Sequence, residues 1–452
     1  MKLEVVETAA RKLAETASPL ALPYLWQLYD LGDGGRRKAA LEALGALGVK
    51  AAQERLFEVS LADPLLSMRR LAAESLGRLL GRDEATRHYV NALKPDARAL
   101  NPIGRFRCVQ LIAHLGGKDA APALRALLDD PDDDVSVAAI EGLATLGDLE
   151  SVPLLVGRLR TERLELRPAI PDTLEHLTGE KNRYNLVKWE EWIEAHKGGD
   201  LQIESRAHKN PDGKPGAEDS YEPDYRDPYA QPVQESSIDF LVVFDTTGSL
   251  LHIWPEVSAA IDAVLEQMAK QTPSLRMGSV RYRADAAART LTYQIKPFAL
   301  SRNLQKARDD ILDATFGGGS GGLHLGIRHA VSAMAWRANA RKVVLVVGDT
   351  TPRDDGLQQC LLTVKEAWEF DRVQFNALYI RSLHGAEHKP TYRILAEVGG
   401  GRFYEYNKAW SRIVDLGVEK PDPKSQELPQ ETLAKWLTPP SREKLLAPPP
   451  QK

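Results

Sequence analysis

The chain has 452 residues, 43% of them hydrophobic, and carries 59 Lys and Arg against 63 Asp and Glu, a formal net charge of −4. That length suits two or three domains rather than one, and the slight excess of acid argues against general affinity for nucleic acid. Its two cysteines, Cys108 and Cys360, exclude a disulfide framework, and no apolar run reaches the roughly 18 residues of a membrane helix.

The first residues, MKLEVVETAARKLAETAS, lack the hydrophobic core of a signal peptide. A soluble, cytoplasmic protein is therefore expected, with an exported or periplasmic one the alternative if a leader has been removed. Repetition follows. AALEALGALG ends at Gly48, LAAESLGRLLG at Gly81, CVQLIAHLGG includes Gly116, AAIEGLATLG ends at Gly147 and PDTLEHLTG at Gly179. Each ending places apolar residues at helical spacing before a glycine suited to a left-handed C-cap. A second, short amphipathic helix precedes it, as DAAPALRALLDD precedes PDDDVSVAAIEGLATLG. One such hairpin cannot bury its own apolar stripe, so neighbours must stack into a solenoid.

The ankyrin TPLHxA and the tetratricopeptide Trp-Leu-Gly-Tyr patterns are absent. PLLSMRRLAAESLGRLLG and PDDDVSVAAIEGLATLG resemble the second helices of short HEAT-like repeats, a resemblance that covers residues 1–196 and closes on the Trp-bearing NLVKWEEWIEAH. Arg37, Arg70 and Arg107 recur near the starts of second helices. They read either as a phosphate-binding stripe or as an internal ladder to acidic loop residues; an acidic chain favours the ladder.

Residues 197–236 are rich in Gly, Pro, Asp and Ser and read as a flexible linker, in which Tyr221, Tyr225 and Tyr229 could pack locally. From Ile238 apolar strands alternate with helices: DFLVVF, WPEVSAAIDAVLEQMAKQ, LRMGSVRYRA, LTYQIKPFA, LQKARDDILDAT, LGIRHAVSAMAWR, KVVLVVGD, LQQCLLTVKEAWEF, QFNALYI, TYRILAEVG and GRFYEY. Alternation of this kind predicts a doubly wound, mostly parallel α/β sheet of Rossmann-like type with helices on both faces. Ligands of such sheets sit at the carboxyl edge. Asp245, Thr246, Thr247, Gly248 and Ser249 stand at one strand end, and Asp349, Thr350 and Thr351 at another. Carboxylate and hydroxyl oxygens with few nitrogens or thiols form the ligand set of a hard cation, Mg²⁺ or Mn²⁺ rather than Zn²⁺.

VVFDTTGSLLHIWPEV resembles the first motif, Asp-x-Ser/Thr-x-Ser, of von Willebrand factor A domains, and FGGGSGG, KVVLVVGDTTP, FNALYI and EVGGGRFYEY match later elements of that family in type and order over residues 237–416. The resemblance implies a metal-ion-dependent adhesion site. In it Asp245 would reach the metal through water, Thr247 and Ser249 would coordinate through hydroxyls, and Asp349 would be a water-bridged carboxylate. Ser320 is the one hydroxyl in GGGSGGLHLG, although Gly321 or Leu323 could fall at that ligand position instead. The family's open coordination position implies a protein partner that supplies a carboxylate. Thr351, Asp354 and Asp355 are candidates for the rim that meets it.

HGAEH, His384 to His388, fits a zinc-protease pattern but contains Gly385 and precedes Pro390, so it reads as a loop. GGGSGG follows a helix rather than a strand and fails as a dinucleotide loop. His324 and His329 read as packing or surface residues. Residues 417–452 form a Pro-rich tail with one amphipathic piece, ETLAKWL. The expected molecule is a non-enzymatic scaffold: an all-α HEAT-like solenoid followed by a cation-binding A-type domain. The alternatives are a metal-independent scaffold with a degenerate site, or a Mg²⁺-dependent hydrolase, for which no positioned base or phosphate cradle is visible.

Overall fold

The structure is a computed structural model that describes residues 3–94, 100–159, 166–196, 237–271, 274–284, 293–319, 321–338, 340–352, 356–381, 388–407 and 412–415. The linker expected at 197–236, with its three tyrosines, and the tail expected at 417–452 lie outside those residues, as do Ser320, Asp354, Asp355 and His384. The chain divides into two compact units: Met1–Gln231 with Ser332–Ala338, and Pro232–Val331 with Asn339–Lys452. Among the described residues no helix is long and apolar enough to cross a membrane.

The first unit is helical, with α1 (Leu3–Glu15), α2 (Leu22–Leu31), α3 (Gly34–Leu47), α4 (Gln53–Ala62), α5 (Leu66–Leu80), α6 (Arg82–Ala92), α7 (Pro102–Leu115), α8 (Ala120–Ala126), α9 (Asp133–Leu146), α10 (Val152–Arg158), α11 (Leu166–Thr178) and α12 (Leu186–Ala195). Alternate helices stack in chain order, α1 on α3, α3 on α5, α5 on α7, α7 on α9 and α9 on α11. Their apolar stripes close on one another, leaving Leu41, Leu44, Leu76, Leu111 and Ile140 fully buried. All five repeat-ending glycines have positive φ. At Gly147 the reason is visible: its N–H donates to the Ala144 carbonyl and the Asp148 N–H to the Leu143 carbonyl, a paired closure that needs φ of 66°. The Trp-bearing helix expected at the end of the array is α12, where Trp189 is buried and donates its indole N–H to the Arg183 carbonyl.

The arginine ladder exists, with a changed membership. Arg37 donates to Asp63 at 2.9 Å, and Asp63 also accepts from the Tyr29 hydroxyl. The next rung is Arg105, bidentate to Asp130 at 2.9 and 2.8 Å. Arg107, two residues on, faces another way on its helix and donates to the Leu61 carbonyl. The charge of Arg70 acts on Glu74, which accepts a hydrogen bond from His114 Nε2 at 2.7 Å.

Helices α3 and α5 approach closely at Gly45 of α3. A Cβ there would lie 2.7 to 2.9 Å from the side chain and Cα of Ser75 on α5, whose hydroxyl donates to the Leu41 carbonyl. Gly45→Ala should therefore cost about 1–3 kcal/mol by overpacking, whereas Gly157→Ala, which opens onto empty space, should gain about 0.5–1 kcal/mol from helix propensity. Denaturant midpoints of the two variants should move in opposite directions; a Gly45→Ala midpoint equal to the parent's would show that the helices separate at no cost.

The second unit is a seven-stranded sheet built from β1 (Ser237–Asp245), β2 (Ser274–Ala284), β3 (Tyr293–Ser301), β4 (Arg341–Gly348), β5 (Val373–Arg381), β6 (Gly400–Asn407) and β7 (Arg412–Asp415). Their order is β3-β2-β1-β4-β5-β6-β7, with β3 and β7 antiparallel to their neighbours and the rest parallel. Five helices complete the unit: α13 (Trp254–Gln271), α14 (Leu304–Leu312), α15 (Leu323–Ser332), α16 (Gly356–Asp371) and α17 (Lys389–Val398). Every residue of β1 is buried, as a strand covered on both faces requires. Phe240, Val242 and Phe244 join a core with Trp254, Val257, Ile261 and Ile311 of α13 and α14. On the opposite face α15 presses in at Gly326, where a Cβ would lie 2.9 Å from the Tyr282 ring.

One expectation is corrected, and one strand is added. The helix read through Arg337 ends at Ser332, because Ser332–Ala338 leaves the helical path and packs with the first unit, where Met334, Trp336 and Arg337 are buried. The strand β7, too short and polar to show an alternating pattern, pairs with β6 from Tyr404↔Asp415 to Asn407↔Arg412.

Candidate functional site

Strand addition in the second unit proceeds outward from β1 to β2 and then resumes on the other side of β1 with β4. Such a reversal leaves a crevice at the carboxyl ends of the two central strands. Asp245 is the last residue of β1 and Asp349 the first after β4, and the two strands pair in parallel up to Phe244↔Val347. The fold thus brings together two carboxylates separated by about a hundred residues of chain.

Asp245, Thr246, Thr247, Asp349 and Thr350 are all buried, while Ser249 is exposed at the mouth. The Thr247 N–H donates to Asp245 Oδ1 at 2.9 Å, and the Thr350 hydroxyl donates to Asp245 Oδ2. The hydroxyls of Thr247 and Ser249 lie 2.9 Å apart. Asp349 Oδ1 is buried and, among the described residues, has no hydrogen-bond partner. The Gly-rich loop reaches the same edge: the Gly317 N–H donates to the Thr246 carbonyl, and Gly319 exchanges two hydrogen bonds with Ala284 at the end of β2. Gly318 has φ of 78°, and a Cβ there would lie 2.6 Å from the Ala284 carbonyl, so the loop can lie this close only as glycine.

Electrostatically, burial and the neighbouring Asp349 both disfavour a charged Asp245. Burial pushes the Asp245 carboxyl up to about 7, the nearby charge of Asp349 adds to the rise, and the Thr350 and Thr247 hydrogen bonds oppose it. A cation would reverse both disfavouring effects, since it replaces lost hydration and separates two like charges. No group of three or more His, Cys, Asp or Glu side chains that could hold a metal occurs among the described residues. The available donor set here is carboxylate and hydroxyl oxygen, which suits a hard ion.

Of the residues singled out from sequence, Asp245, Thr247, Ser249 and Asp349 are brought together. Ser320, Asp354 and Asp355 lie outside the described residues, between described neighbours at Gly319 and Gly321 and between Pro352 and Gly356. Thr351 is half-buried, its hydroxyl 2.8 Å from His388 Nδ1. His388, read as part of a loop, stands at the N-cap of α17. His324 and His329 are partly buried on α15, and burial lowers both imidazoles.

Three contributors escaped the sequence reading of the site. Thr350, adjacent to Asp349 in sequence, is the donor to Asp245. Tyr282 and Tyr392, both fully buried, place their hydroxyls 3.5 Å apart behind Gly348, and Tyr392 donates to the Thr350 carbonyl at 2.9 Å. The position of Tyr282 opposite Asp245 in the β1–β2 register is a signal available only once the register is known.

The family model for von Willebrand factor type A domains matches residues 239–416, and that for HEAT repeats matches residues 90–170. Among solved structures, the chain is similar to the pilus adhesin SpaC from Lactobacillus rhamnosus GG in its open conformation, with 14% identity and a TM-score of 0.32 over 39% of this chain. It covers 28% of that adhesin's chain. It is also similar to the SpRpn10 VWA domain, with 13% identity and a TM-score of 0.28 over 36% of this chain and 82% of that one. No curated protein matches.

Proposed function

From a chain that joins HEAT repeats to a von Willebrand factor type A domain, we propose a non-enzymatic protein-interaction scaffold whose A domain meets a partner through Mg²⁺ or Mn²⁺. The observation that carries the reading is Asp349 Oδ1, buried without a hydrogen-bond partner among the described residues, beside a buried Asp245 and the paired hydroxyls of Thr247 and Ser249. An unsatisfied carboxylate oxygen in such a place costs free energy unless something positive completes it.

In this reading Thr247 and Ser249 offer hydroxyl oxygens, and Asp245 and Asp349 supply the charge that holds the ion. Thr247 N–H and Thr350 Oγ hold the Asp245 carboxylate in one orientation, so little freedom is left to lose when it binds. The cation, when bound, supplies a concentrated positive charge with a coordination position for a partner's Asp or Glu. The exposure of Ser249 leaves that side of the crevice open to another molecule. The helical repeats provide a second binding surface on the same chain, which raises the local concentration of one partner near another.

One observation favours a rival reading, a scaffold that works without metal: Asp245 Oδ2 is already satisfied by Thr350. Calorimetric titration of the full chain with Mg²⁺ and with Mn²⁺, beside Asp245→Ala, separates the two. Heat that vanishes in the variant is the expected result. Absence of heat in the parent, or heat that persists in the variant, would favour the metal-independent scaffold.

A further inference from the structure

Behind the carboxylates lies a buried line of three oxygens that coordination alone does not explain. Tyr392 on α17 and Tyr282 on β2 are both fully buried, and their hydroxyls are 3.5 Å apart. Tyr392 Oη donates to the Thr350 carbonyl at 2.9 Å. Its single proton is committed there, so Tyr282 is the donor between the two phenols. Thr350 in turn passes its own hydroxyl proton to Asp245 Oδ2.

Glycine at position 348 is what lets the line close. A Cβ on Gly348 would lie 2.4 Å from Tyr392 Oη, 2.9 Å from Tyr282 Oη and 3.2 Å from Asp245 Cβ. Asp349 therefore stands between two fixed residues: Gly348, pressed under both phenols, and Thr350, tied at its carbonyl to Tyr392 and at its hydroxyl to Asp245. Among the described residues no hydrogen bond holds Asp349 Oδ1, so its placement relies on its neighbours.

We propose that Tyr392, supported by Tyr282, is a positioning residue for the cation site: through Thr350 it sets the peptide that presents Asp349 and the orientation of Asp245. The inference rests on the cation-binding reading of the site. Neither phenol touches the crevice through an open face, so neither is a ligand; both act at one remove. Loss of such outer contacts weakens metal sites by about 10- to 100-fold.

The test is calorimetric titration of the full chain with Mg²⁺ and Mn²⁺ as Tyr392→Phe and Tyr282→Phe. Tyr89→Phe serves as the control, because it also deletes a buried phenol, one bonded to Ser60 at 2.8 Å in the helical unit. Tyr392→Phe should weaken cation binding by about tenfold and Tyr282→Phe by less, since it acts one bond further away, with Tyr89→Phe at the parent's affinity. Melting without cation tells whether each variant is folded; if Tyr392→Phe is not, Tyr282→Phe decides. A merely structural phenol would shift the cation-free melt and leave the dissociation constant unchanged. Parent-like affinity in the folded tyrosine variants overturns the positioning role while leaving the site intact. No binding by the parent overturns the site, and this inference with it.

Discussion

Arg276→Met is expected to destabilise the sheet unit by about 3–5 kcal/mol, the cost of taking its two-pronged counter-ion from a buried charge. Asp239 and Arg276 face each other across the β1–β2 register, and both side chains are essentially without solvent exposure. The guanidinium donates from Nε to Asp239 Oδ1 at 2.9 Å and from Nη2 to Oδ2 at 2.8 Å, a two-pronged geometry that lysine could not reproduce. Removing one partner is costly for a different reason than removing both. The double variant Asp239→Leu with Arg276→Met takes away both charges, and should recover most of the loss. Hydrogen exchange over residues 237–284 reads this locally, which matters because a chain of two units need not unfold in one step. A loss below about 1 kcal/mol in the single variant would mean that water or another group satisfies Asp239.

The same pair shows where sequence reading stops. Asp239 sits in an apolar strand as an evident exception, but its partner is selected by the register of a parallel pair, which one-dimensional periodicity does not contain. Most of the fold was legible because its signals are local. A β-branched run such as VVLVVG has to be buried, and a glycine every 31 to 35 residues after an apolar helical stripe has to end a repeat. Asp245 and Asp349 were legible for a related reason, since a carboxylate that ends a buried run must emerge at the sheet's edge. Thr350, Tyr282 and Tyr392 were not, because their roles depend on which strand and helix ends meet behind Gly348. Arg107 failed for want of a helical phase, as the acidic partner faces Arg105, two residues earlier. AMAWR continued a helix by composition, yet Ser332–Ala338 is held by contacts distant in sequence.

Asp245→Asn is expected to do two opposite things: to stabilise the cation-free protein above neutral pH and to abolish its response to Mg²⁺. The parent's Asp245 carboxyl is pushed from 3.8 to about 7 in the folded state, chiefly by burial. Between those values the folded chain holds a proton that the unfolded chain has released, so stability falls as pH rises from about 4 to about 7 and stays low above it. About three pH units at ~1.4 kcal/mol each set a ceiling of about 4 kcal/mol on this penalty. Asparagine is neutral throughout and keeps an acceptor for the Thr247 N–H. It should flatten that part of the profile and raise the melting temperature most at pH 8. With Mg²⁺ present the order reverses, because only the parent keeps both carboxylates, Asp245 and Asp349, for the ion. Ligand that binds the folded state alone then stabilises the parent by mass action, and more strongly as rising pH removes the competing proton. Melting from pH 5 to 8, with chelator and with Mg²⁺, checks both halves. Parallel profiles for parent and variant in chelator would show that Asp245 is not the buried titrating group. A variant that gains in chelator, beside a parent unmoved by Mg²⁺, would leave a strained carboxylate with no ion to relieve it, the arrangement expected of the metal-independent scaffold.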